Sequence, residues 1–276
     1  IDQEGNTVNS KKYGSGDIVK SYFNLEPRFS ASYQLNDRSS LKGSYTRNTQ
    51  NLHLMSNSTT TSTTDLYIMS SNNVKPEIAD QFSMGYFKNF SEDKYEFSAE
   101  LYFKQMQHQV EYRSGTDLRG NTKVESELLY GQGRAYGLEL FMKKRFGKFN
   151  GWIGYTLSKT ERKFDDINRG GWFLAKQDRM HDLSLAGILR VGPKWTVAST
   201  FVYNTGNAVT FPAGKYQVNN MTLFYYPERN ADRMPDYHRL DLSATLEAKP
   251  GKKLQSSWSF GIYNVYNRKN AYAIDF

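Results

Sequence analysis

The chain has no cysteine among its 276 residues, which excludes a disulfide scaffold, a cysteine nucleophile and a thiolate metal site. Its four histidines, His53, His108, His181 and His238, fall in unrelated segments with no HExxH spacing. No apolar run approaches the ~18 residues that mark a spanning helix, and mean hydropathy is −0.71, so a helical membrane protein is excluded. A Gly-rich phosphate loop and a nucleophile elbow are both missing. The first residues, IDQEGNTVNS, hold neither the charged nor the apolar region of an export signal.

Catalytic chemistry therefore has few candidates. Asp178, His181 and Asp182 lie close in sequence but not at metal-ligand spacing, and hydrogen bonding where a loop re-enters a strand is the reading adopted for them. Asp165 and Asp166 sit in a polar stretch with no apolar pocket to raise a carboxyl pKa. The expectation is no enzyme, no metal and no cofactor. The net charge of +8 is dispersed, partly in turns (Arg38, Lys94, Lys148, Lys194, Lys252, Lys253) and partly in loops (Arg119, Arg162, Lys163, Arg169, Lys176, Arg229, Arg233). No element interleaves Arg and Lys with stacking aromatics, so nucleic acid is not an expected partner. Lipopolysaccharide phosphates or an anionic substrate would suit the same charges.

What the chain does have is alternation. From residue 20 to 35, Phe23, Leu25, Pro27, Phe29, Ala31, Tyr33 and Leu35 alternate with Tyr22, Asn24, Glu26, Arg28, Ser30, Ser32 and Gln34. A period of two means an extended strand between an apolar phase and a polar one. At roughly 3.3 Å per residue this one would run to about 50 Å, where soluble strands stop near 20 Å. The pattern recurs from Tyr95 to Phe103 and from Leu240 to Leu246. Weaker forms run through Leu41–Tyr45, Ile78–Tyr86, Tyr136–Met142, Ile153–Leu157, Leu183–Val191, Trp195–Tyr203 and Trp258–Ile262, which makes about ten strands. Phe23, Leu25, Phe29, Tyr33, Phe97, Leu101, Leu240, Leu242 and Leu246 are expected to face lipid. Glu26, Arg28, Glu96, Glu100, Glu139, Arg239 and Asp241 are expected to face a lumen, paired in interstrand ladders.

The connections sort into two kinds. Asn36–Arg38, Ser91–Lys94, Gly147–Asn150, Gly192–Lys194 and Lys249–Lys252 are short and turn-like, whereas 50–74, 114–124, 161–180, 205–236 and the end beyond Asn267 are long and polar. Short turns on one rim and long loops on the other is the arrangement of an outer-membrane barrel. Tyr95, Trp152, Trp195 and Trp258 each follow a short turn, as an interfacial girdle would, although aromatics favour strands in any case. Binding chemistry would belong to the long loops. Trp172, Phe173, Tyr225 and Tyr226 offer aromatic faces for sugars or planar chelates, and Arg229 and Arg233 suit anionic groups. Packing of loop on loop is the competing use of the same residues.

Seven stretches carry a resemblance: KPEIADQFSMGYF from Lys75, GRAYGLELFMKK from Gly133, GWIGYTLSKTER from Gly151, KQDRMHDLSL from Lys176, NTGNAVTFPAG from Asn204, YHRLDLSAT from Tyr237 and YNVYNRKNAY from Tyr263. In this order they resemble the C-terminal barrel half of TonB-dependent outer-membrane receptors, especially those of Bacteroidetes. The resemblance implies an all-β, antiparallel transmembrane barrel of roughly 22 strands with a plugged lumen, of which residues 1–276 would be the C-terminal part. It implies uptake of a ferric siderophore, cobalamin or a glycan, with TonB engaged through a plug domain and a surface lipoprotein as a further partner. The plug, the early strands and the final strand are not recognised here, so the chain is expected to be a partial barrel in the outer membrane of a Gram-negative bacterium. The alternative is a self-contained ten-stranded barrel serving as channel, surface protease or adhesin, whose end strands would pair with each other.

Overall fold

A computed structural model describes residues 12–55, 66–113, 124–219, 221–247, 256–272 and 274. The chain runs as hairpins separated by excursions. β1 (Arg28–Asn36) turns tightly into β2 (Ser39–Gln50), and the excursion that follows carries a small ladder of β3 (Leu52–Met55) and β4 (Leu66–Met69). β5 (Glu77–Phe90) and β6 (Tyr95–Tyr112) form the next hairpin, then β7 (Leu128–Lys144) and β8 (Phe149–Lys163). After β9 (Trp172–Leu174) come β10 (His181–Val191) and β11 (Trp195–Asn204). The longest excursion holds β12 (Ala208–Val209), β13 (Gly214–Val218), β14 (Met221–Tyr225) and β15 (Asp232–Arg233), before β16 (Tyr237–Glu247) and β17 (Ser257–Ile262) complete the series. The only helical pieces among the described residues are two short 3₁₀ turns, Val124–Glu127 and Asn168–Gly170.

Ten strands pair antiparallel in the order β1-β2-β5-β6-β7-β8-β10-β11-β16-β17, with β9 added to the end of β8. This is the all-β wall that the alternation predicts. The tight turns share one rim and are laced together there: Asn89 donates to the Arg38 carbonyl at 2.8 Å, Arg145 to Lys94 at 2.9 Å, Arg190 to Lys148 at 2.8 Å and Glu247 to Lys194 at 2.8 Å. Ser91, Glu92 and Asp93 all take positive φ (52, 55 and 61°) to close the β5–β6 turn. The predicted turn at Lys249–Lys252, the stretch Ser56–Thr64 and Arg119 lie outside the described residues.

Register assigns the faces, because directly paired residues share one. The rows Met84–Leu101–Leu138–Leu157, Phe97–Met142–Ile153–Leu185–Phe201–Leu240 and Val197–Ala244–Phe260 are apolar. The opposite face carries rows such as Arg28–Thr46–Gln81–Lys104 and Ser30–Ser44–Ser83–Tyr102. Apolar side chains on the first face are open to the surroundings, with Leu101 59% and Phe29 67% exposed. A soluble sandwich would bury such residues against a second layer. The dry regions lie instead among the long connections: Met55, Val74, Val110, Tyr112 and Leu128 form one cluster, and Leu129, Phe164, Ile167 and Phe173 another.

Three expectations need correction. The strand predicted from residue 20 begins at Arg28, so Phe23, Leu25 and Glu26 lie ahead of the ladder. Pro27 has no N–H to continue it, and its carbonyl accepts one last bond from Arg47 at 3.0 Å. Trp152 shares a row with Glu96 and Lys143, which puts it on the polar face against Phe141, whereas Tyr95, Trp195 and Trp258 keep the apolar one. The self-contained barrel would need β1 bonded to β17. Among the described residues the two stand at opposite ends of the sheet, each paired on one side only.

The face assignment predicts that single bimane-labelled cysteines at Leu101, Met84 and Leu242 are quenched by bromine on lipid acyl chains, while labels at Glu100, Ser83 and Asp241 are not. Equal quenching of neighbouring positions would contradict the two-faced wall.

Candidate functional site

The polar face has its own charge pattern. Glu100 and Glu139 stand directly opposite one another on β6 and β7, and the same row continues through Thr156 to Asp182. Like charges in this position repel. Among the described residues neither glutamate has a cation within ion-pair distance. Space beside Glu100 is tight: a Cβ on Gly85 would meet the Phe87 ring at 2.8 Å and the Glu100 Cγ at 2.9 Å, so a larger residue there would displace one of them. The row is a concentration of negative charge facing the side away from lipid.

The other predicted inward charges are paired. Arg239 donates from Nε to both Asp241 oxygens at 3.1 and 2.9 Å and from Nη1 to the Tyr263 hydroxyl at 2.6 Å, with its guanidinium 4.2 Å above the Tyr263 ring. Asp241 also accepts from the Asn264 amide at 2.9 Å, which ties β16 to the chain after β17. Glu96 pairs with Arg145 at 2.7 Å beside a tight turn. Glu26, outside the strands, accepts from the Thr49 hydroxyl at 2.6 Å and amide at 2.9 Å, and these bonds hold its carboxyl below the usual range. Arg28 reaches Asn48 at 3.3 Å.

The six residues predicted to contact substrate divide. Phe173 is buried in the loop cluster, with its ring against Phe164. Trp172 pairs with Lys163 on the outward face and lies under the Arg134 guanidinium at 4.2 Å. Arg229 bonds the Tyr112 carbonyl at 3.1 Å and sits 3.6 Å from Glu111, which also holds Arg162 at 3.2 Å. Arg233 grips Asp178 and the Gly206 carbonyl. These arginines brace one connection against another. Tyr225 and Tyr226 remain exposed, at the end of the β13–β14 hairpin rather than in the irregular loop that polarity predicts.

Asp178, almost fully buried, organises the rim. Its Oδ1 accepts the Thr160 amide at 2.6 Å and its Oδ2 meets Arg233, so one carboxylate joins β8, the 164–180 connection and β15. Nearby Gly206 packs so closely on Met234 that a Cβ would strike its carbonyl oxygen. His181 bonds the Tyr155 hydroxyl at 2.8 Å on the outward face, away from Asp178. Among the described residues no three His, Asp or Glu side chains gather as a metal site.

Residues 1–267 match the family described as TonB dependent receptor-like, beta-barrel. The chain belongs to this family. The receptor barrel also superposes on solved structures at low identity. The outer-membrane ferripyoverdine receptor of Pseudomonas aeruginosa is 15% identical with a TM-score of 0.59, covering 88% of this chain and 29% of that one. The ferric-catecholate import receptor Fiu of Escherichia coli K12 is 15% identical, with a TM-score of 0.56 and coverage of 88% and 31%. The copper transporter OprC is 13% identical, with a TM-score of 0.57 and coverage of 89% and 34%. At such identity the likeness is one of fold, and the receptor barrel spans about a third of these structures' length. No curated protein sequence matches it. Receptors of this family are outer-membrane transporters of Gram-negative bacteria, not enzymes, and the apolar face is the one that meets lipid.

Removing Arg233 leaves the Asp178 carboxylate buried without its cation, which costs about 3 kcal/mol or more. Arg233→Ala is expected to open the 164–180 and 205–236 connections to limited proteolysis while the strands stay protected. Unchanged cleavage would show that the pair does not hold the rim.

Proposed function

We propose that the chain forms the C-terminal part of the wall of a TonB-dependent receptor, of the Bacteroidetes type, that takes up a scarce nutrient. The observation that carries this reading is the two-faced, open sheet, which gives lipid an apolar surface and leaves an acidic row facing the lumen. The plug domain, the early strands and the final strand would come from the rest of the receptor, completing a barrel of roughly 22 strands. Cations on the plug would meet Glu100 and Glu139, which have no cation of their own among the described residues. TonB would act through that plug.

The substrate class is a ferric siderophore, cobalamin or a glycan. The similar structures, a ferripyoverdine receptor and a ferric-catecholate import receptor, favour the first. Exposed Tyr225 and Tyr226 supply aromatic faces on the long-loop side, where a planar chelate or sugar ring would stack. A surface lipoprotein covering these loops is a further partner in this reading.

Uptake of radiolabelled ferric siderophores by cells carrying the intact receptor tests it. Uptake should need TonB, and Tyr225→Ala with Tyr226→Ala should weaken ligand binding about tenfold, the loss expected of roughly 1.4 kcal/mol of stacking. Uptake that persists without TonB would remove the transport reading, and unchanged binding would remove the two tyrosines from it.

A further inference from the structure

We propose that the lumen face of β7, β8 and β10 at the tight-turn rim holds an exit site for an anionic chelate, with the rings of Phe141 and Trp152 stacking on its flat faces and Lys143, Lys148 and Arg190 pairing with its charge. This rests on the transport reading above, in which substrate crosses the lumen from the long-loop rim to the tight-turn rim.

Register puts the rings and the cations together. Trp152 stands opposite Lys143 on one side and Ala186 on the other, and Phe141 stands opposite Gly154, which pairs on with Ser184. The two rings lie 6.1 Å apart at 31°, and Trp152 is 37% exposed. Their strand neighbours are small, so the rings form an apolar ledge on a face that is otherwise polar. Towards the turns, Leu189 pairs with Phe149 on the lipid side, and the next pair, Arg190 and Lys148, returns to the lumen phase, with the Arg190 amide donating to the Lys148 carbonyl at 2.8 Å. Four residues of strand, roughly 13 Å, separate Ala186 from Arg190, a gap that the long cationic side chains narrow.

Two cations directly opposite one another repel. Lys148 and Arg190 are both exposed, and neither has a carboxylate within ion-pair distance among the described residues. Lys143 faces Glu96, but that carboxylate is taken at 2.7 Å by Arg145, which Asp93 at the β5–β6 turn also attracts. The next turn is built differently, since Lys194 stands beside Glu247, whose amide donates to the Lys194 carbonyl at 2.8 Å. Asp241, which ends the Trp152 row, is held by Arg239. The patch is therefore positive on the side away from lipid, where bilayer phosphates do not reach. It lies between the Glu100–Glu139 row and the tight turns, so an anion that has passed those carboxylates is drawn on by the cations beyond them. Ring faces beside ammonium and guanidinium groups match a negatively charged chelate with planar donor groups.

The test uses the intact receptor in phosphatidylcholine nanodiscs, which open both rims to solution, with bimane on the substitution Thr200→Cys in the Trp152 row. Anionic ferric tris-catecholate should quench the label saturably, and neutral ferric tris-hydroxamate should bind at least about tenfold more weakly, as expected when charge-assisted hydrogen bonds go unmade. Lys148→Gln with Arg190→Gln should weaken the anionic chelate as much, whereas Lys148→Arg with Arg190→Lys should bind it like the wild type. Neither pair of changes breaks an ion pair with a described residue, which guards against misfolding. Trp152→Ala should cost both chelates severalfold, and Lys88→Gln, on the lipid side of the same rim, should cost neither. Equal binding of the two chelates, or no loss in the glutamine variant, would overturn the site. A label that neither chelate quenches would show that the plug covers this wall, and would overturn it as well. TonB-dependent uptake is measured separately, so each of these failures leaves the transport reading standing.

Discussion

Every backbone N–H and C=O that lies in hydrocarbon must find a partner on the protein, because the bilayer core offers none. The wall answers this with one continuous ladder of ten antiparallel strands, and most other features follow from it. Strands must be long, and β6 and β7 reach 18 and 17 residues. Consecutive strands must be neighbours, so the hairpins β1–β2, β5–β6, β7–β8 and β10–β11 close in tight turns on one rim while the returning connections carry the variable length. Each strand also has two faces, and only one can be apolar if the other is to border a polar lumen.

The stabilising interactions divide by location. Between the rims there is one layer, and the apolar side chains gain their burial from lipid rather than from one another. At the long-loop rim the protein must supply its own cohesion. It does so with the two dry clusters and with carboxylates that each join several segments: Glu111 holds Arg162 and Arg229, Asp178 holds Arg233 and the Thr160 amide, and Glu161 holds Arg134 and Lys159. Glu100 and Glu139, which have no described cation, lie instead on the lumen face between the rims.

The wall was legible in the sequence because alternation is a local property: side-chain direction follows from strand geometry alone. Tyr95–Phe103 and Leu240–Leu246 needed no tertiary information. What alternation cannot supply is where pairing stops and which phase a lone aromatic joins. The run from residue 20 kept its period through Pro27, yet the ladder there ends for want of an N–H donor. Trp152 follows a turn as Trp195 and Trp258 do, but its phase is opposite, which only the register with Lys143 reveals. The rim was the least legible part. Arg229, Arg233 and Phe173 carry the composition of a binding loop, while their contacts lie up to 117 residues away in sequence. A loop that braces and a loop that binds use the same residue types.

The proposed function has this sheet as an open arc completed by strands outside it. Amide hydrogen exchange on the intact receptor in lipid tests that most directly, read at the β1 amides that do not bond to β2. The account predicts that these amides are protected as strongly as those in the middle of β6, because a neighbouring strand covers them. Exchange at β1 as fast as in the exposed β13–β14 hairpin would contradict it.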